Sequence, residues 1–237
     1  MDIAIMQPYL FPYIGYFQML NGVDYFVSGE NVQFIKKGWI NRNRILVNNE
    51  ARLITLPLIK DSTYLDINKR YFENDSLGKD KMLRAIHNAY HKASNFKDCY
   101  QLVEEILNFS NYNVAAYIHN SFKEICSYLD IKTPLLILSE LDPPPEMNSQ
   151  DLIIHVCKGL KADRYINAIG GMELYSDKKF RENDLTLRFI KTKESLKYKQ
   201  FNDNFVPNLS IIDVMMFNSP MEIRQLLTEY DLIDGKN

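Results

Sequence analysis

Ile3-Ala4-Ile5-Met6-Gln7-Pro8-Tyr9-Leu10-Phe11-Pro12-Tyr13-Ile14-Gly15-Tyr16-Phe17 is the stretch on which the fold turns. An apolar run breaks into two prolines, five aromatics and one glycine, and an apolar stretch over residues 17–20 follows. That order reads as a buried strand, a constrained turn, and a helix entering at Gly15. Each proline fixes its own φ and pushes the residue before it toward extended geometry, so the turn is stiff. Gly15 permits close backbone approach, and a helix N-terminus offers unpaired N–H groups to anions. The tip of a strand that feeds a helix is where α/β proteins place ligands. Gln7, Tyr9, Tyr13 and Gly15 are therefore candidate substrate contacts, and Tyr16 a candidate catalytic group. The competing reading is a hydrophobic corner whose aromatics only pack.

Working outward, Val23-Asp24-Tyr25-Phe26-Val27 reads as a second strand, close enough to complete a β–α–β unit. Residues 31–44 then hold four cations, four amides and the only Trp of the chain. Amides and an indole N–H are directional hydrogen-bonders, and Lys and Arg suit phosphate or carboxylate. Gln33, Lys36, Lys37, Trp39, Asn41 and Arg42 join the candidate substrate-binding set. A solvated basic face is the ordinary alternative. With 28 basic against 30 acidic residues and no second basic stripe, nucleic acid is not the expected partner; a small anionic substrate is.

The α/β alternation resumes late in the chain. Residues 135–138, 164–167 and 185–190 read as strands and residues 151–160 as a helix, while Pro143-Pro144-Pro145 marks a stiff loop. This pattern predicts one mostly parallel, Rossmann-like sheet with helices on both faces. After the strand that ends at Asn167 come Gly170 and Gly171, then a helix-like segment reaching Tyr175. That is a turn able to approach a phosphate or carboxylate, and equally an ordinary turn. Asn167, Gly170, Gly171 and Tyr175 are carried as substrate-binding candidates. Residues 44–47 and 52–56 flank Asn48-Asn49-Glu50 as a hairpin.

Between the two α/β parts, residues 79–92, 96–108 and 114–129 show helical spacing of apolar residues. The expected organisation is an N-terminal β–α–β unit and hairpin carrying the main motifs (1–75), a helical insert (76–132), and a C-terminal α/β part that completes sheet and pocket (133–237). His87 and His91 share a helical face at a spacing that can bind zinc, but Asn88 stands where a metalloprotease carries Glu. No metal is expected. His91 remains a candidate general base, because imidazole titrates near neutral pH. Cys99, Cys126 and Cys157 are odd in number, widely spaced and set among apolar neighbours, which favours buried structural thiols over a disulfide framework or a zinc site.

Near the C-terminus, Pro207, Asn208 and Ser210 are helix-start signals. Asp213 interrupts an otherwise apolar run over residues 211–217. A carboxylate on a buried helix needs partners, since losing water without them is very unfavourable. Two readings stand: a structural Asp bonded to a backbone turn or an arginine, or a base or substrate anchor at the pocket floor. Asn218 either caps that helix or shares its network. No apolar run approaches the roughly 18 residues of a membrane helix, and no basic-then-apolar signal opens the chain, so a cytoplasmic protein is expected.

The strings IAIMQPYLFPYIGYF, FIKKGWINRNRILVN and PNLSIIDVMMFN resemble the WbqC-like protein family, with similarity running from end to end. The resemblance implies cytoplasmic work on nucleotide-linked sugars among the genes of O-antigen and other surface polysaccharides. The implied reaction is transfer of an acyl or aminoacyl group to the amine of an amino sugar. A coenzyme A or carrier-protein thioester would be the donor, with no resident cofactor. Amide formation needs an unprotonated amine, a held oxyanion and aligned reactants; Asp213 or His91 could take the proton.

Two other classes compete. Tyr13-Ile14-Gly15-Tyr16 stands where nucleotidyltransferases and adenylate-forming ligases carry His-x-Gly-His, and Lys191-Thr192-Lys193-Glu194-Ser195 is vaguely similar to their lysine-bearing loop. Both histidines are tyrosines here, and neutral phenols stabilise a transferring phosphate less well than imidazolium. That departure favours a shared fold over shared ATP chemistry. The third class is a non-catalytic sugar-nucleotide-binding protein.

Overall fold

The computed structural model describes residues 1–144, 146–147 and 149–235; Pro145 of the expected proline loop lies outside them. Strand β1 (Asp2–Met6) is buried along Ile3, Ala4 and Ile5, as befits a central strand covered on both faces. It leads through the Pro8–Pro12 turn into α1 (Ile14–Asn21) and then β2 (Tyr25–Ser28). A hairpin follows, β3 (Arg42–Val47) and β4 (Glu50–Thr55). Its two-residue turn is Asn48-Asn49, with φ of 51° and 63°, the left-handed pair that suits the twist of a tight hairpin.

Three helices come next: α2 (Ser76–Tyr90), α3 (Phe96–Leu107) and α4 (Val114–Leu129). Asp75 caps α2 by accepting from the Gly78 amide, and Asn113 caps α4 by accepting from Ala116. The chain then returns to the sheet with β5 (Leu135–Ile137), α5 (Ser149–Gly159), β6 (Arg164–Ala168), α6 (Asp177–Arg181) and β7 (Thr186–Thr192). It closes with α7 (Ile211–Phe217), α8 (Pro220–Leu226) and β8 (Tyr230–Asp234).

The strand order is β5-β2-β1-β6-β7-β8, parallel from β5 to β7, with β8 antiparallel at the edge; β3 and β4 form a separate pair. The expected parallel, Rossmann-like sheet is therefore present, and it gains a sixth strand that the sequence reading did not include. Strand order reverses between β1 and β6. In such a sheet the crevice outside the carboxyl ends of those strands is the place for a ligand.

Alternation of side chains splits the core in two. Ile3, Ile5, Val27, Tyr165, Leu187 and Phe189 face a layer built from α5 and α6. Ala4, Phe26, Ile166 and Ile190 face a larger layer of α1, the α2–α4 block, α7 and α8. All three cysteines are buried and free. Burial raises the thiols, to about 12 for Cys126 and Cys157, so they remain protonated packing groups. No helix among the described residues is long and apolar enough to cross a membrane.

Candidate functional site

The turn after β1 is held by hydrogen bonds from elements distant in sequence. The Leu10 amide donates to the Ile40 carbonyl at 2.9 Å, and Asn43 Nδ2 donates to the Phe11 carbonyl at 2.7 Å. Ser210 Oγ donates to the same Phe11 carbonyl at 2.8 Å, and the Ile211 amide donates to Pro12 at 2.7 Å. Phe11 takes a left-handed φ of 48°, so the turn is fixed in a strained geometry by the hairpin on one side and the start of α7 on the other. Gly15 is required here. A Cβ at that position would lie 2.5–2.6 Å from the Tyr13 ring, so only glycine lets this phenol fold over the first turn of α1.

Beside that phenol is a cavity of about 280 Å³ lined by Tyr9, Tyr13, Trp39, Asn43, Arg44 and Asn208. Trp39 is 47% exposed, and the Arg44 guanidinium stacks over its ring at 5.3 Å. Arg44 Nη2 makes a long bond of 3.4 Å to the Asn208 carbonyl, while its buried Nε has no acceptor among the described residues. A buried guanidinium N–H without an acceptor is costly unless a ligand completes it. Burial raises both Tyr9 and Tyr13, so they are neutral hydrogen-bonding walls at physiological pH.

Asn208 also lines a second cavity of about 590 Å³, between Ile14 at the start of α1 and the segment after β7. Its polar walls are Thr192, Lys193, Glu194, Lys197, Asp203 and Asn204. Lys193 pairs with Glu229 at 3.1 Å and Lys191 with Glu194 at 3.1 Å; exposed Lys197 enters no ion pair among the described residues. The two cavities share Asn208; one is walled by aromatics and a guanidinium, the other carries Lys193 and Lys197 beside Glu194 and Asp203.

Asp213 lies behind the second cavity and is fully buried. Tyr90 donates to its Oδ1 at 2.7 Å; Tyr198 and Gln200 donate to its Oδ2 at 2.6 and 2.7 Å. Burial nonetheless raises its pKa, the three hydrogen bonds pulling the other way. Tyr198 lines the cavity, so Asp213 acts at one remove, through a phenol that it orients. Gln200 exchanges bonds with the backbone of Val206, which fixes residues 198–206 as the cavity wall. Its side-chain partners are two phenols and an amide, not the backbone turn or arginine of the structural reading.

The other sequence candidates divide in the same way. Tyr16 is packed among Tyr9, Phe17, Phe26 and Phe122, with its hydroxyl on the Gln7 carbonyl at 3.3 Å. His91 is an exposed C-cap of α2, stacked on His87, and lines neither cavity. Lys36 and Lys37 are exposed in a turn where Lys37 has φ 62°. Gln33 Nε2, Asn41 Nδ2 and Arg42 Nε donate to the backbone carbonyls of Thr63, Leu56 and Gly38, and none of the three residues lines either cavity. Asn167 bonds Tyr165 and the Ala168 amide, Gly171 packs against the Asn167 side chain, and Tyr175 stacks edge-on to Tyr165. Gly170 faces open space. Asn218 caps α7 through the Val214 carbonyl.

Of the sequence candidates, Tyr9, Tyr13 and Trp39 meet in one cavity, with Gly15 beneath. Asn43, Arg44, Lys193, Lys197, Tyr198 and Asn208 are not among the site candidates read from the sequence, although Asn208 stands there as a helix-start signal and Lys193 in the segment likened to a lysine-bearing loop. Arg44 ends the cationic segment, and Asn208 lies in a motif that carries the family resemblance, so a signal was present for both.

The WbqC-like protein family model matches residues 7–225. The chain is also 26% identical over 218 residues to a protein of Mycobacterium tuberculosis named Uncharacterized protein Rv1507c, covering 91% of this chain and 93% of that one. No solved structure matches. The matched span contains the turn after β1, the hairpin, both cavities and α7. The chain belongs to the WbqC-like protein family.

Proposed function

We propose that this protein binds a nucleotide-linked amino sugar of surface polysaccharide biosynthesis and transfers an acyl or aminoacyl group to its amine. The observation that carries the reading is Arg44, a guanidinium stacked on an exposed Trp39 with its buried Nε unsatisfied. A phosphate or carboxylate at Nε completes the donor, and Trp39 offers a flat face for a base or sugar ring. Lys197, across Asn208 and in no ion pair among the described residues, offers further positive charge for a diphosphate.

In the reaction the amine nitrogen attacks the thioester carbonyl, the C–N bond forms, the C–S bond breaks, and the thiolate leaves. The amine's proton passes to solvent or to a cavity carboxylate, Glu194 or Asp203. Asp213 holds Tyr198 and Gln200 in the wall. The direct test is calorimetric titration with nucleotide amino sugars, then mass spectrometry for the amide when a thioester is added. Absence of saturable binding by any nucleotide sugar would end the reading.

One observation favours a second reading. The lysine-bearing segment after β7 faces Ile14 at the start of α1 across the larger cavity, the relative placement that adenylate-forming ligases use. ATP with magnesium would then bind, and pyrophosphate release would report turnover. Tyr13 and Tyr16, both raised by burial, offer no cationic donor to a transferring phosphate, which keeps this reading second.

A further inference from the structure

A third cavity, of about 210 Å³, opens at the carboxyl ends of β2 and β5 and shares no lining residue with the two above. Its polar walls are Ser28, Glu30, Asn68, Asn113, His119, Ser139 and Glu140. Glu30 is only 3% exposed. Its Oε1 accepts from Asn68 Nδ2 at 3.4 Å and from the Ser139 amide at 3.3 Å, both at the long end for such bonds. Among the described residues its Oε2 has no partner, and neither have the buried Asn68 Oδ1 and His119 Nδ1. A carboxylate this deeply buried, with one oxygen unsatisfied, calls for a donor of positive charge.

The acceptors are held in place by bonds among the cavity's own walls. Asn113 Nδ2 donates to the Asn68 carbonyl at 2.7 Å, and the Asn68 amide donates to the Glu30 carbonyl at 3.1 Å. Asn113 is fixed in turn by capping α4. The unsatisfied atoms are a carboxylate oxygen, an amide oxygen and an imidazole nitrogen. Three atoms able to accept, His119 Nδ1 in the tautomer protonated at Nε2, match the three N–H bonds of a primary ammonium.

We infer that this cavity binds a small molecule through its primary ammonium group, held by Glu30 Oε2, Asn68 Oδ1 and His119 Nδ1. A metal ion is the poorer match: among the described residues no group of three or more His, Cys, Asp or Glu is placed to hold one, and a carboxylate, an amide and one imidazole are ligands of mixed hardness. The inference is independent of the reading of the Arg44 cavity, since it concerns different residues and a different ligand charge.

The test is calorimetric titration of the intact protein with methylammonium and with glucosamine, against glucose, potassium and magnesium chlorides. Saturable binding of at least one amine without binding of glucose is the expected result. Glu30→Gln, which places an N–H where the free oxygen was, should weaken amine binding at least tenfold. His119→Ala should weaken it several-fold at unchanged melting temperature, and that variant decides the matter if Glu30→Gln does not fold. The inference is overturned if neither amine binds, if glucose binds equally, if potassium or magnesium saturates the site in their place, or if the variants bind amines like the parent.

Discussion

Tyr90 and Asp213, 123 positions apart, meet in the core with the phenol donating to Oδ1 at 2.7 Å, while the same phenol oxygen accepts from the Leu46 amide at 2.8 Å. This chain of bonds joins β3, the end of α2, α7 and, through Oδ2, the wall formed by residues 198–206. Asp213→Asn keeps the shape but turns one of two acceptor positions into a donor. At least one of Tyr90, Tyr198 and Gln200 then loses its acceptor, at a cost of about 1–3 kcal/mol per buried group left unpaired. Melting should fall by about 2–4 °C for each kcal/mol lost in a chain of this size. Loss of amide formation at unchanged melting would assign Asp213 a direct chemical role that its burial argues against.

Arg44→Lys keeps the charge and removes both Nε and the planar face over Trp39. Hydrogen bonds to charged groups contribute about 1.5–3 kcal/mol, so nucleotide-sugar affinity should fall at least tenfold, with little change in melting. Titration calorimetry on parent and variant decides it. Equal affinities would remove Arg44 from the site.

The sheet was legible because its strands announce themselves. Residues 3–6 are an apolar run before a turn signal, and burial on both faces is what such a run means in a parallel sheet; residues 185–190 alternate instead, with Leu187 and Phe189 buried and Thr186 exposed. Strand β8 was missed because Tyr230-Asp231-Leu232-Ile233-Asp234 carries two carboxylates, which an exposed antiparallel edge tolerates and a central strand would not. The site was legible only in part. Prolines and aromatics marked the turn at Tyr9 and Tyr13. Tyr198 and Gln200 lie in a segment without periodicity, and their role depends on a carboxylate 13 or more positions away. Glu30 follows Ser28-Gly29 with no motif around it, and burial of a lone acid is a tertiary fact.

Gly15→Ala is expected to displace Tyr13. The added methyl would lie within 2.6 Å of the ring, so the phenol must swing out and the aromatic cavity must change shape. Overpacking of this kind costs about 1–3 kcal/mol. Tyr13→Ala in the same chain removes the clash, so the double variant should recover most of the stability lost by Gly15→Ala alone. A double-mutant cycle measured by denaturant unfolding shows the coupling. Additive effects would mean that Gly15 is needed for some reason other than Tyr13.

His119 gives a pH dependence whose sign follows from its surroundings. Burial lowers its pKa below the ordinary 6.5, Lys123 adds to the lowering, and Glu140 and Glu30 pull weakly the other way. The unfolded chain therefore binds this proton more readily than the native one. Between pH 6.5 and the lower native value, protons favour the unfolded state, so stability must rise with pH across that window and level off above it. His119→Gln cannot titrate and should lose this part of the slope. Urea unfolding of parent and variant from pH 5 to 8 isolates the effect, because carboxylates common to both cancel in the difference. The two proteins should differ in pH slope below about 6.5 and run parallel above it. Parallel curves throughout would show that the imidazole titrates alike in both states, and a steeper rise in the variant would reverse the sign assigned to its burial.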